Sequence, residues 1–408
     1  MYILGIDFGS RYIKAALSIV DQDNKITIID TFSETHKASR KGTITDLVRA
    51  KEAFKSIVEK VKMKHEEEID FYLITISGEG ISTFTGTTKI PLWKQENEER
   101  RIKITKAHVN EVIKTAKLSY MTDNKVELHS IPQEYTIDDQ QPTQNPIDMS
   151  GVKLKGSVYV IQAEKTQKEN LVNILSDCGI ENYRIIYSPL ATSEAVLDED
   201  DKETGMIMLS VGDQTTELVI YHGGILRMAK VIPFGSYNIT KDLKILLKTD
   251  YKTANEIKKE KATAFIEDAD PEKEIEVENS GIQNKLPTEE YVSKIVSARL
   301  KEVYDFAIHE IYKGSYQRII HSPVMLTGPG SRLKGADKLF SQMNNSKTVN
   351  GKICGINTKD KEIHEEMFTV VGLIKYAVNN DLIVSEHDEN EESKGMLFKM
   401  KRFFADIF

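Results

Sequence analysis

Residues 2–8 form an apolar run that closes on an acid, and residues 12–20 form a second run after Gly9-Ser10-Arg11. Residues 26–32 follow the polar stretch 21–25, so the pattern predicts three strands joined by tight turns. Thr45 is the expected cap of a helix with Leu47, Phe54, Ile57 and Val61 on one face. Residues 70–76 then read as a buried strand ending at Ser77-Gly78. Strands, a helix and a further strand predict an α/β domain rather than a sandwich.

The rhythm changes over residues 80–166, which hold alternating segments, a helical stretch at 105–118 and a polar loop at 138–148 with two prolines. This stretch reads as an inserted subdomain. A helix at 167–178 and a strand at 183–187 resume the first domain. A second strand–loop–strand unit spans 206–211 and 216–221 around the short polar loop 212–215. Two such units, one per half, predict an internally duplicated fold with a cleft between the halves. Residues 241–265 read as one long helical region, 267–278 as a charged loop, 291–312 as a helix, and 324–327 as a strand entering Gly328-Pro329-Gly330-Ser331.

Length and composition narrow the picture. At 408 residues the chain exceeds one compact core. Hydrophobic residues are 40% and charged residues 29%, the balance of a folded protein. A net charge of −8 argues against nucleic acid as a general partner. Two cysteines, Cys178 and Cys354, suit a reducing compartment and are too few for a disulfide framework or a cysteine zinc site. The nine histidines carry no HExxH spacing. The N-terminus has no signal-peptide pattern, and no apolar run reaches the length of a membrane span, so a cytosolic chain is expected.

The turns carry the candidate chemistry. A phosphate site needs backbone N–H groups converging on oxygen, and small residues permit that approach. Asp7, at the end of its strand, is placed to hold Mg²⁺ through its water shell. Taken singly, 7–12 is also an ordinary hairpin turn, and residues 151–156 have Walker-type glycine spacing without the lysine that a P-loop needs. In order, Asp7-Phe8-Gly9-Ser10, Gly212-Asp213-Gln214-Thr215-Thr216 and Leu326-Thr327-Gly328-Pro329-Gly330-Ser331 resemble the two phosphate motifs and the adenosine motif of the actin, sugar-kinase and DnaK-type superfamily. Arg11, Tyr12 and Gly235 join the same nucleotide set. Residues 255–259 resemble the helix whose Glu and Lys contact adenosine, which assigns that role to Glu256 and Lys259, the alternative being a solvated helix face.

A narrower resemblance covers essentially the whole chain. His129-Ser130-Ile131-Pro132-Gln133-Glu134-Tyr135 with residues 145–154, then residues 39–46, 189–197 and 232–240, resemble the FtsA family in its own order. The resemblance implies an actin-like, duplicated ribonuclease H-like ATPase fold. Its expected divisions are residues 1–82 with 167–195, an inserted FtsA-type subdomain at 83–166, a second domain at 196–384 with a 2B-like part near 240–320, a linker at 385–394 and a terminal helix at 395–408. It implies ATP and Mg²⁺ as cofactors, homopolymers, the C-terminal tail of FtsZ as partner, and later division proteins acting on the insert. Ser210 stands where the second phosphate motif opens with an acid, Asp213 and Gln214 replace glycines, Glu217 is the closing acid, and Pro329 replaces a glycine. Hydrolysis is therefore expected to be slow at most. Glu194 falls at the superfamily's water-orienting position, the alternative being a surface helix acid.

Residues 385–394 are strongly acidic and read as a solvated linker. After them Met396, Met400, Phe403 and Ile407 recur at helical spacing, with Leu397, Phe398, Phe404 and Phe408 widening the face. Lys399, Lys401 and Arg402 face one acid, Asp406. Such a helix suits a lipid headgroup boundary, each basic residue adding roughly 1 kcal/mol on anionic lipid; docking on the protein's own core is the alternative. It matches the membrane-targeting helix of FtsA, which implies the cytoplasmic face of the bacterial cell membrane at the division site. Two other readings are a PilM-type pilus scaffold and a sugar-kinase-type phosphotransferase, the latter lacking an identifiable acid for an acceptor.

Overall fold

The computed structural model describes residues 1–93, 101–118, 122–278, 286–316, 320–359 and 363–383; the expected acidic linker and terminal helix lie outside the described residues. The first half opens with β1 (Tyr2–Phe8), β2 (Tyr12–Val20) and β3 (Ile26–Thr35), two short pieces β4 (Ser39–Arg40) and β5 (Thr43–Ile44), helix α1 (Leu47–Lys64) and β6 (Phe71–Ile76). Asp46, not Thr45, caps α1, accepting from the Arg49 N–H. Phe54, Ile57 and Val61 are buried, but Leu47 is 45% exposed.

The insert follows: β7 (Ile81–Pro91), β8 (Ile102–Lys103), α2 (Lys106–Leu118), β9 (Lys125–Ile137), β10 (Ser150–Gly151) and β11 (Lys153–Glu164). Its sheet runs β7-β11-β9, antiparallel throughout. In β9 the pairing skips one residue. Val158 faces Pro132 and Ser157 faces Glu134, which leaves Gln133 as a bulge. The bulge turns Gln133 toward the second half, where its Nε2 donates to Leu226 O at 2.7 Å. Glu134 pairs with Arg227 at 2.6 Å, and Tyr159 Oη bonds both the O and the N of Ala229. The Gln133-Glu134 signature thus fastens the insert to the rest of the molecule.

The chain returns through α3 (Lys165–Asp177), β12 (Tyr183–Tyr187) and α4 (Ser188–Val196), then α5 (Glu199–Thr204). The second half contains β13 (Met206–Val211), β14 (Thr216–His222), β15 (Ile225–Ile232), α6 (Tyr237–Leu246), α7 (Tyr251–Glu256), a π-helical turn at Ile257–Lys261, α8 (Glu289–Lys313), β16 (Val324–Thr327), α9 (Ala336–Asn344) and β17 (Thr348–Asn350). Strand β18 (Asn357–Thr358) crosses back to β3, and α10 (Phe368–Asn379) ends the described chain. The single helix expected over 241–265 is three pieces. Lys248 takes a positive φ of 47°, and Asp250 starts a new helix by capping Thr253 N, which breaks the apolar periodicity without a proline.

The duplication is plain in the sheets. One runs β12-β6-β1-β2-β3-β18 and the other β15-β14-β13-β16-β17. In each, an antiparallel hairpin is extended by a third strand on one side and by parallel strands on the other. Strands β6 and β13 are buried along their whole length, which is why they read as unbroken apolar runs rather than alternating ones. Between the sheets lie α4, buried at every position, and α10. These helices meet so closely that a Cβ on Gly372 would lie 2.0 Å from Ala191 O and 2.8 Å from Ala195 Cβ. No described helix is long and apolar enough to cross a membrane.

Candidate functional site

The two hairpin turns are built alike. Gly9 N donates to Tyr12 O at 3.0 Å, and Gly212 N donates to Thr215 O at 2.8 Å. A Cβ on either glycine would press on that same carbonyl, at 3.0 Å and 2.9 Å. Both turns open onto one cleft between the halves, and the turn after β16 reaches it through Gly328 and Pro329. Gly328 has φ +81° and sits against Val211 O and Ser210 Oγ, so only a residue without a Cβ lets this turn close on β13.

Of the residues expected to hold a nucleotide, Asp7, Gly9, Ser10, Arg11, Tyr12, Gly212, Asp213, Thr215, Lys259, Gly328 and Pro329 line this cleft. Thr216, Gly235, Gly330 and Ser331 stand behind its wall. Thr216 Oγ1 donates to Phe234 O, and Gly330 N donates to Val211 O, tying the third turn to the second. Ser331 is buried beside it. Gly235 lets the chain pass over the second turn, since a Cβ there would meet Asp213 O at 2.6 Å. Gln214 accepts from the backbone N–H of Lys41 across the gap between the halves.

Two expectations are corrected. Glu194 is not in the cleft: it lies in the core, where Lys202 Nζ meets its Oε2 at 2.9 Å and Asn379 Nδ2 donates to its Oε1 at 2.6 Å. It is absent from the cleft that Ser188 and Thr192 of the same helix line, and its burial also rules out a surface acid. Glu256 points outward toward Lys252, while Asn255 and Lys258 face the cleft with Lys259. Asn255, Lys258 and Lys259 fall at i, i+3 and i+4, one ordinary helical face that leaves Glu256 off it.

The electrostatics are those of a site for a charged ligand. Asp7 accepts from Thr75 Oγ1 at 2.7 Å and lies 3.8 Å from Lys14 Nζ. Lys258 is 4% exposed, and burial pushes its pKa down to about 8. Opposite Ser210 in the hairpin register, Glu217 takes a hydrogen bond from Ser188 Oγ. Burial drives its pKa up to about 7. The turn at residues 39–46 closes the rim: Gly42 N donates to Ser10 Oγ at 2.9 Å, and Lys41 Nζ bonds Glu79 and lies 5.5 Å from the Phe234 ring centroid.

Asp213 Oδ2, Glu217 Oε2 and Thr327 Oγ1 are buried without a hydrogen-bond partner, and all three residues line the cleft. Buried oxygens left in this state carry a desolvation cost that a ligand's polar groups, or a hydrated cation, would offset. Phosphates need the cations Arg11, Lys14, Lys258 and Lys259, and a magnesium ion needs acids it can reach through water; the residues present fit both. No described cluster of three His, Cys, Asp or Glu could grip a metal directly.

Glu217 makes a pH prediction. An unfolded carboxyl titrates near 4.5 and this one near 7, so between those values the folded chain holds the proton and stability falls as pH rises. Glu217→Gln abolishes that loss. Relative to the parent, it should gain about 3 kcal/mol on going from pH 4 to pH 8. Urea midpoints at the two pH values measure this; a difference that does not change with pH refutes it.

Comparison with known proteins agrees with the geometry. The model described as cell division protein FtsA matches residues 207–372, and the SHS2 domain inserted in FtsA matches residues 81–162. Cell division protein FtsA of Neisseria meningitidis serogroup B is 26% identical over 100% of this chain and 99% of its own length. That of Escherichia coli K12 is 25% identical over 93% and 91%. Among solved structures, the PilM–PilN type IV pilus biogenesis complex covers 92% of this chain and 98% of its own at 14% identity, with a TM-score of 0.63. MreB5 of Spiroplasma citri bound to AMPPNP covers 93% and 98% at 12% identity, with a TM-score of 0.54. Those likenesses establish the actin-like fold. Two family models in succession, relatives matched over 91% and 99% of their own length, and a duplicated sheet pair with the SHS2 insert give one conclusion: the chain belongs to the FtsA family of cell division proteins.

Proposed function

We propose that this chain is a division adaptor that binds ATP with Mg²⁺ in the cleft, assembles into actin-like polymers, takes the C-terminal tail of FtsZ, and ties the division ring to the inner face of the cytoplasmic membrane. The observation that carries the reading is the meeting of three glycine-bearing turns on one cleft, where Asp213 Oδ2 and Glu217 Oε2 are buried without a partner. The neighbour MreB5, solved with ADP and with AMPPNP, supports the choice of an adenine nucleotide.

In this reading the amides of residues 9–12 and 212–216 hold the phosphates, with Arg11, Lys14 and Lys258 neutralising them. Gly235 lets the second turn seat tightly, and residues 328–331 with Lys259 enclose the adenosine. Asp7 holds the metal's waters, and the metal's charge would screen the phosphates. Turnover is slow. Ser210 cannot fix a water as a carboxylate would, and Glu217 is half protonated near neutrality. The insert offers its surface to other division proteins. Residues 395–408 insert in the headgroup region, with Met396, Leu397, Phe398, Met400, Phe403, Phe404, Ile407 and Phe408 on the lipid side and Lys399, Lys401 and Arg402 on anionic headgroups.

Flotation of FtsZ on liposomes with anionic lipid and ATP tests the reading. FtsZ should float with the full chain and stay in solution with a chain ending at Lys394. If the full chain carries FtsZ to neither lipid nor pellet, the adaptor reading fails and the pilus-scaffold reading returns.

A further inference from the structure

The second turn carries an acid where a phosphate would go. Asp213 lines the cleft and its Oδ2 is shut off from solvent with no hydrogen-bond partner; burial raises the carboxyl's pKa, while Arg11, Lys258, a hydrogen bond with Gln214 and Lys14 favour its charged form. Those cations are the groups that would meet the phosphates of a nucleotide. In that reading Asn255, Lys259, Pro329 and Leu333, which line the same cleft, take the adenosine, which leaves Arg11 and Asp213 to the phosphates.

Asp213 cannot step aside by moving its backbone. Tyr237 N donates to Asp213 O at 2.6 Å, Ser236 N donates to Gly212 O at 3.0 Å, and Gly235 lies directly against both carbonyls. Arg11 is itself held, since Nη1 meets Tyr251 Oη and the guanidinium stands 4.6 Å from that ring's centroid. The cationic corner is therefore fixed in place with a carboxylate already in it.

We propose that Asp213 is a specificity-determining residue that stands in for a terminal phosphate, so that the cleft favours a nucleoside diphosphate over the triphosphate. This rests on the nucleotide reading above and refines it. A diphosphate leaves Asp213 in place among these cations. A triphosphate brings its last phosphate against the carboxylate, and like charges at such range in a partly buried site repel strongly. The chain would then hold the product state of any hydrolysis more firmly than the substrate state, which differs from a cleft that waits open for ATP.

Calorimetric titration of the full chain with Mg·ADP and with Mg·AMPPNP tests this, using the parent, Asp213→Asn and Asp213→Gly. The parent should bind ADP about tenfold or more tightly than AMPPNP. Asp213→Asn, which keeps the shape and removes the charge, should bring the two affinities within about twofold by tightening AMPPNP alone. Asp213→Gly should do the same, and it guards against an asparagine side chain that itself blocks the corner. Equal affinities in the parent, or variants that shift both nucleotides together, overturn the proposal while leaving nucleotide binding intact. If none of the three proteins binds either nucleotide, the nucleotide reading falls, and this proposal with it.

Discussion

Gly372→Ala should lower the stability of the chain by about 3 kcal/mol, although alanine is the better helix former by about 1 kcal/mol. The sign is set by the crossing of α4 and α10. The added methyl would lie 2.0 Å from Ala191 O and 2.8 Å from Ala195 Cβ, and neither neighbour is a side chain that can rotate away. The helices must separate, and with them Thr369 and Thr192, whose hydroxyls meet at 2.9 Å on the floor of the cleft. Urea unfolding should show an earlier midpoint, and nucleotide affinity should fall with it. A stabilised Gly372→Ala would mean that the helices are not in contact as described.

Glu194→Ala should cost about 4 kcal/mol, because it leaves the ammonium of Lys202, 7% exposed, without its buried carboxylate. Burial opposes the charge on Lys202, and Glu194 with Tyr221 and Glu199 overcomes it, lifting the lysine's pKa above its ordinary value. A raised lysine pKa stabilises fully at neutral pH, and the contribution is lost only as pH rises through the folded value. Replacing both residues, Glu194→Gln with Lys202→Met, should be milder than Glu194→Ala, since no lone charge remains. Affinity for Mg·ADP should stay within about twofold of the parent in the double variant. A loss of binding with stability unchanged would return Glu194 to the cleft.

The strand framework was legible because each sheet's central strands are apolar throughout and the turns between them hold glycine. The likeness of the two hairpins, read from residues 7–12 and 210–216, is the likeness of their closing hydrogen bonds. What escaped the sequence lies where backbone geometry overrides spacing. A left-handed Lys248 divides one helix into two, and the segment after the break presents Asn255, Lys258 and Lys259 to the cleft rather than Glu256. Glu194 escaped for another reason. Its order along the chain suggested the cleft, but a carboxylate needs a counter-charge wherever it is buried, and Lys202 supplies one from the next helix. The motif at residues 39–46 and the Gln133-Glu134 pair read as family signatures; in the fold the first bridges the cleft rim and the second clamps the insert.

The bulge in β9 also bears on how these chains can stick together. That strand is an outer edge of the insert's sheet, and an outer edge with a full row of free amides and carbonyls invites another chain to pair with it. Here the row is broken. Pro132 offers no amide, Gln133 throws the spacing out by one, and Tyr135 is already bonded in both directions to Thr143. Between residues 132 and 135 that edge gives no template for the sheet to run on from molecule to molecule into an amyloid-like fibre.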